Sequence, residues 1–221
     1  MLVIFDCDGV LVDTESIANT RMAEWITAAG MPIAMEESRR RFNGMTMDAI
    51  GKKLFDEDGI DLGPDFAERW YRELPSLFED GVEAIPYVDE VIGALDEQEI
   101  PLCVASSARV EKMRITLGAT GLLERLEPVL FSASMVARGK PFPDLFLYAA
   151  ERMGHAPGEC VVIEDAAAGV KAGRAAGMRV LAYHGDPLSD RDALAEAGGE
   201  LFDDMRHVPA LLGLTVLGQR P

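Results

Sequence analysis

Five short apolar runs, separated by stretches of helical periodicity, leave this chain few architectures to choose from. The runs are Leu2–Phe5, Leu102–Ala105, Pro128–Phe131, Cys160–Ile163 and Arg179–Tyr183. Helical patterns fall at Tyr87–Glu97, Val110–Leu117, Asp144–Met153 and Ala166–Ala176. Strands that are apolar throughout suit a sheet buried on both faces, and strands alternating with helices imply βαβ units. The expected fold is α/β, a doubly wound, Rossmann-like parallel sheet. Gly118, Gly154 and Gly177 stand where helices are expected to end in a left-handed residue.

One stretch breaks the alternation. From about Ser16 to Asp80 only helical spacing is visible. Ala18, Met22, Trp25, Ile26 and Ala29 form one stripe, and Phe66, Trp70, Leu74, Leu77 and Phe78 another, opened by Pro64 and bent at Pro75. Ile50, Leu54 and Phe55 suggest a helix after Thr46 as N-cap, and Met35–Phe42 a further one. The expected organisation is a core of residues 1–15 and 82–221 carrying a small inserted α-helical domain at 16–81. The stripes read as the insert's own core.

Charge narrows the partners. With 38 acidic and 21 basic residues the net charge is −17. Such a field repels nucleic acid and anionic lipid, and no apolar run is long enough to span a bilayer. It also repels a small phosphate ester, so phosphate chemistry here has to bring its own positive charge. Cys7, Cys103 and Cys160 are odd in number and lack metal-site spacing, which argues against a disulfide framework or a zinc site and for a reducing, cytoplasmic setting; Cys7 and Cys103, in apolar strand contexts, read as buried thiols. The first residues enter a strand at once, so no secretory signal is expected.

Doubly wound folds bind ligands at the carboxyl ends of their strands. After the first strand come Asp6, Cys7, Asp8 and Gly9; after the second, Ser106 and Ser107; after the fourth, Glu164 and Asp165. Lys140 follows the third strand at some distance, in GKPFPD. Two acidic pairs, a hydroxyl and a lysine thus converge on one spot. Carboxylates that close raise one another's pKa unless a cation intervenes, and Mg²⁺ with oxygen ligands is the natural one.

These residues resemble the haloacid dehalogenase superfamily. Its first motif matches LVIFDCDGVLVD at Leu2–Asp13, its second Ser106 in LCVASSAR, its third Lys140, and its fourth Glu164-Asp165 in VVIEDAAAGV. The resemblance implies Asp6 as nucleophile, Asp8 as general acid and base, and Ser106 and Lys140 as ligands of the transferring phosphoryl group. It implies Mg²⁺ held by Asp6, the Asp8 backbone carbonyl and Asp165, with Glu164 a ligand directly or through water. The insert resembles that family's small cap, hinged at Asp13–Glu15 and Gly81–Pro86.

Asp8 argues for phosphate esters, because members that attack carbon lack an acid there. The subgroup suggested is that of sugar-phosphate phosphatases, acting on a small phosphorylated metabolite. Candidates for contacting the substrate are Ser106, Ser107, Lys140 and the FNGMT turn with Asn43, Gly44 and Thr46; Arg39, Arg40, Arg41, Lys52 and Lys53 rank below that turn and read first as a solvated basic face. Ser107 reads equally as a helix N-cap, and Asp13 and Thr14 as hinge and capping residues. The alternative enzyme is a β-phosphoglucomutase, but Ala18 and Met47 stand where the mutase carries a His and an Arg. A phosphoaspartyl receiver is shorter and lacks both the insert and the second acid. Nothing in the sequence gives the oligomeric state.

Overall fold

The structure, a computed structural model, describes residues 1–78 and 81–214. Residues 79–80 of the expected insert and 215–221 of the expected core lie outside the described residues. The six strands β1 (Leu2–Phe5), β4 (Leu102–Ser106), β5 (Leu130–Ser132), β6 (Cys160–Glu164), β7 (Arg179–Tyr183) and β8 (Glu200–Phe202) form one sheet. Every pairing in it is parallel, and the spatial order is β5-β4-β1-β6-β7-β8. The chain winds from β1 outward in one direction and then returns to wind in the other. The switch point therefore falls at β1, whose Ile4 lies between Cys103 and Val162.

Alternation along β1 explains why the sheet is apolar without a break. Leu2 and Ile4 enter a cluster with Phe146 and Val170, whereas Val3 and Phe5 enter the opposite one with Ile92 and Met113. All four β1 side chains have zero exposure. Helices cover both faces: α5 (Val88–Glu97) and α6 (Val110–Ala119) contribute to one cluster, α8 (Asp144–Arg152) and α9 (Ala167–Ala175) to the other. Short helices α7 (Leu123–Leu126), α10 (Arg191–Glu196) and α11 (Val208–Leu211) complete this part.

Two expectations shift here. Gly118 lies inside α6, which runs on to Ala119, and Gly121 at φ 78° takes the left-handed turn instead. Gly154 and Gly177 do occupy that conformation, at φ 75° and 77°. The third strand begins at Leu130, because Glu127–Val129 with Pro128 forms a 3₁₀ turn.

Two short strands, β2 (Val12–Asp13) and β3 (Glu83–Ala84), pair antiparallel. Between them run α1 (Glu15–Ala28), α2 (Met35–Phe42), α3 (Met47–Asp58) and α4 (Phe66–Leu77). The Thr46 hydroxyl accepts from the Ala49 amide at 3.2 Å and so caps α3, as the sequence suggests. Pro64 precedes α4 rather than starting it, while Pro75 lies within it. Trp25 meets Phe66 and Trp70 edge-on, with centroids 5.9 and 5.8 Å away, and ties α1 to α4. All three cysteines are buried free thiols. Among the described residues no helix is long and apolar enough to cross a membrane.

Candidate active site

The carboxyl ends of β1, β4 and β6 meet beside the switch point, and each delivers a buried polar group. Asp6 follows β1, and its amide donates to the Ile163 carbonyl on β6 at 2.9 Å. This bond sets Asp6 beside Glu164 and Asp165. Lys140 reaches in from the loop after β5, buried, with its Nζ donating to Asp6 Oδ1 at 2.6 Å and to Glu164 Oε1. The Phe146 ring, its centroid 5.0 Å from Nζ, backs this ammonium from α8.

Glu164 is held on every side. Its Oε2 accepts from the Asp165 and Ala166 amides, both at 3.0 Å, while Oε1 takes Lys140. It presses against Gly169 of α9, where no Cβ could fit beside its carboxylate. Gly9, at φ 75°, plays the same part for Asp165: a Cβ there would collide with that carboxylate.

The electrostatics are unbalanced. Carboxylate oxygens of Asp6, Glu164 and Asp165 lie within 4.8 Å of one another, all buried, and the only ammonium in direct contact with this cluster among the described residues is Lys140. Burial lifts the Asp6 carboxyl to about 7; Lys140 pulls it down, while Glu164 and Asp8 push it up. Burial likewise lifts Asp165 well above the usual carboxylate range, reinforced by Glu164, Glu15 and Asp6. Buried charge of one sign demands compensation. An all-oxygen donor set with excess negative charge fits a hard divalent cation such as Mg²⁺.

Asp8 faces a second cation. Its Oδ1 accepts from Thr14 Oγ1 at 2.6 Å and pairs with the ammonium of Lys112 on α6. Burial opposes the charge on Lys112, but Asp8, Cys7 and Glu15 outweigh it and hold the ammonium above its ordinary pKa. Sequence reasoning missed Lys112. Thr14 occupies the N-cap position of α1 yet makes no cap bond with its side chain, which serves Asp8 instead.

A cavity of about 770 Å³, counted out to its open mouth, lies between α1–α4 and the strand ends. Asp6, Asp8, Ser106, Ser107, Asn43 and Gly44 all line it. Ser106, buried at the end of β4, accepts at its Oγ from the Ala108 amide at 3.1 Å. Ser107 donates to the Gly44 carbonyl at 2.9 Å, stitching β4's loop to the α2–α3 turn; the N-cap position of α6 belongs to Arg109. Asn43 points its amide at Asp165 Oδ2, 3.4 Å away. Thr46 is taken up by capping α3 and does not line the cavity.

The five basic candidates do not line it either. Arg40, Arg41, Lys52 and Lys53 pair with Glu37, Asp58, Asp56 and Glu57 nearer the surface. Arg39 is different: it is buried, and it bonds Asp186 at 2.9 Å beyond the end of β7.

Comparisons with known proteins point to one family. Residues 3–183 match the model of the haloacid dehalogenase-like hydrolase family. The 6-phosphogluconate phosphatase of Escherichia coli is 33% identical over 186 residues, covering 84% of this chain and 83% of that one. The hexitol phosphatase A of the same organism is 31% identical over 182 residues, covering 82% of each. A haloacid dehalogenase-like protein from Agrobacterium tumefaciens has a solved structure that superposes with a TM-score of 0.79 at 35% identity, over 96% of this chain and 97% of that one.

Proposed function

The chain belongs to the haloacid dehalogenase-like hydrolases and is a phosphoric monoester hydrolase, and from there we propose a Mg²⁺-dependent phosphatase of small phosphosugars that works through an aspartyl-phosphate. The observation that carries this is the meeting of Asp6, Lys140, Glu164 and Asp165 at the switch point of the sheet. Relatives that share this chain's length act on phosphorylated sugars, sugar acids or hexitols by name.

Asp6 and Asp165 would hold the metal with the Asp8 backbone carbonyl, and Glu164, whose oxygens already serve Lys140 and two amides, would join through water. The cation supplies charge neutralisation for the phosphoryl oxygens and the carboxylates around them. In the first step an Asp6 carboxylate oxygen attacks phosphorus and the bond to the alcohol oxygen breaks. Asp8, as general acid, gives a proton to that leaving oxygen and is left as the carboxylate that Thr14 and Lys112 hold. In the second step water attacks the phosphorus of phospho-Asp6 and passes its proton to Asp8, releasing inorganic phosphate and the free Asp6 carboxylate. Lys140 fixes the Asp6 carboxylate and, with Ser106, meets the phosphoryl oxygens.

The helices α1–α4, on the far side of the cavity, act as the cap domain of residues 16–81. They screen the leaving group from bulk water on residues 1–15 and 82–221. Ala18 and Met47 line the cavity and offer no charge to a second phosphate, which supports hydrolysis over mutase chemistry.

Phosphate release from hexose, hexitol and sugar-acid phosphates, with Mg²⁺ and with EDTA, tests the reading. Asp6→Asn should lose turnover by at least about a thousandfold while its far-ultraviolet circular dichroism stays native. Asp8→Asn incubated with substrate should gain the mass of one phosphoryl group, and borohydride should trap the acyl phosphate. Normal turnover by Asp6→Asn shows the nucleophile to be another residue.

A further inference from the structure

The cavity wall on the alcohol side of Asp6 has an unusual charge balance for an enzyme of anions. Four charged residues line the cavity: Asp6, Asp8, Glu15 and Lys112. The phosphoryl group engages Asp6. Lys112 is the one cation among them, and it is paired with Asp8. What is left facing the alcohol is Glu15, buried at the start of α1, its Oε2 accepting from Asn19 at 2.9 Å. Arg39 stands behind Glu15 at 3.8 Å and directs its own hydrogen bond to Asp186. The remainder of the α1–α4 wall carries no charge: Met22, Phe42, Ile50 and Trp70 are buried and apolar, and Tyr71 and Asn43 add neutral polar groups.

A second anion on the substrate would enter this space without a counter-charge. Uncompensated negative charge near a buried carboxylate, in a site shielded from water, is strongly unfavourable. A hydroxyl in the same place loses nothing comparable. It can donate to Glu15 or accept from Asn19, and the carbon–hydrogen faces of a sugar chain suit the apolar wall. We propose that this enzyme selects phosphate monoesters whose alcohol is an uncharged sugar or polyol, and that Glu15 makes it discriminate against esters bearing a second anion on the alcohol. The selection rests on the phosphatase reading above.

The test is a pair of substrates that differ at one carbon. Glucitol 6-phosphate ends in CH₂OH where 6-phosphogluconate ends in a carboxylate. With Mg²⁺ and the wild-type chain, kcat/KM for glucitol 6-phosphate should exceed that for 6-phosphogluconate by at least about tenfold, equivalent to about 1.4 kcal/mol. Glu15→Gln should narrow that ratio, chiefly through KM for the gluconate. Raising the ionic strength should change it little in the wild type, because charges in a site shielded from water are weakly screened; a ratio that collapses with salt would trace the discrimination to the molecule's surface charge and overturn the role of Glu15. Equal or faster turnover of 6-phosphogluconate, with phosphate released from both, overturns the selection and leaves the phosphatase standing. Release from neither substrate by the folded protein, nor from the wider set of phosphosugars, overturns the phosphatase reading and the selection with it.

Discussion

At the scale of single residues, Gly169 shows how closely the carboxylate cluster is built. It lies within α9, where alanine is intrinsically better by about 1 kcal/mol. Glu164 occupies the space a methyl group would need, and overpacking of that kind costs about 1–3 kcal/mol. The propensity gain offsets part of that, so Gly169→Ala should cost no more than about 2 kcal/mol and lower the melting temperature by less than about 8 °C. The chemistry has no such compensation. Pushing Glu164 aside moves Lys140 and two backbone amides with it, and misplacement of about 1 Å can cost about a hundredfold. A turnover assay alongside a thermal melt checks this: activity should fall at least about tenfold while the fold survives, and a variant with normal turnover would show that Glu164 has room to move.

Elements show what the sequence made readable and what it hid. β1, β4, β6 and β7 were legible because a strand buried on both faces must be apolar at every position. β8 was not, since Glu200-Leu201-Phe202 is three residues at an edge, with Glu200 exposed. The acids and Lys140 could be placed because each follows a strand whose end is predictable. Lys112 escaped because a lysine in a helix reads as solvated. Its signal was register: Met113 and Leu117 mark the buried face of α6, and Lys112 and Thr116 lie on that same face. The Thr46 turn was readable as a cap, but its hydroxyl's full engagement there was not. Thr46→Ala should therefore act on α3 rather than on chemistry, costing about 1 kcal/mol. For a chain of this size that is a drop of about 2–4 °C in Tm, measurable by calorimetry, with kcat changed far less than in Gly169→Ala.

For the whole molecule, the cluster ties stability to pH and metal. Asp6 moves from 3.8 to about 7 on folding. A group whose folded pKa is raised favours the native state below its unfolded pKa, and that contribution is lost as pH rises through the folded value. Asp165 and Glu15 shift in the same direction, burial being the leading cause in both. Lys140 is also raised, but from 10.5, so its contribution is constant across this window. In EDTA, the melting temperature should fall between about pH 5 and about pH 8. Mg²⁺ at a hundred times its Kd should restore about 2.7 kcal/mol at the higher pH. A metal-free Tm that rises over the same interval would show that the carboxylates are compensated from within the chain.

The small ribbon of β2 and β3 bears on how such a protein can diversify. It brings the outgoing and returning chain side by side at Val12↔Ala84 and Asp13↔Glu83, so everything threaded between is an excursion from one point on the sheet. Heritable change in that excursion can reshape the wall around Glu15 and Met22 without altering the register of β1, β4 and β6. Change in the sheet has no such latitude, since one displaced strand end moves the nucleophile. The gene is thereby divided into a stretch free to drift toward new metabolites and a stretch whose drift is purged.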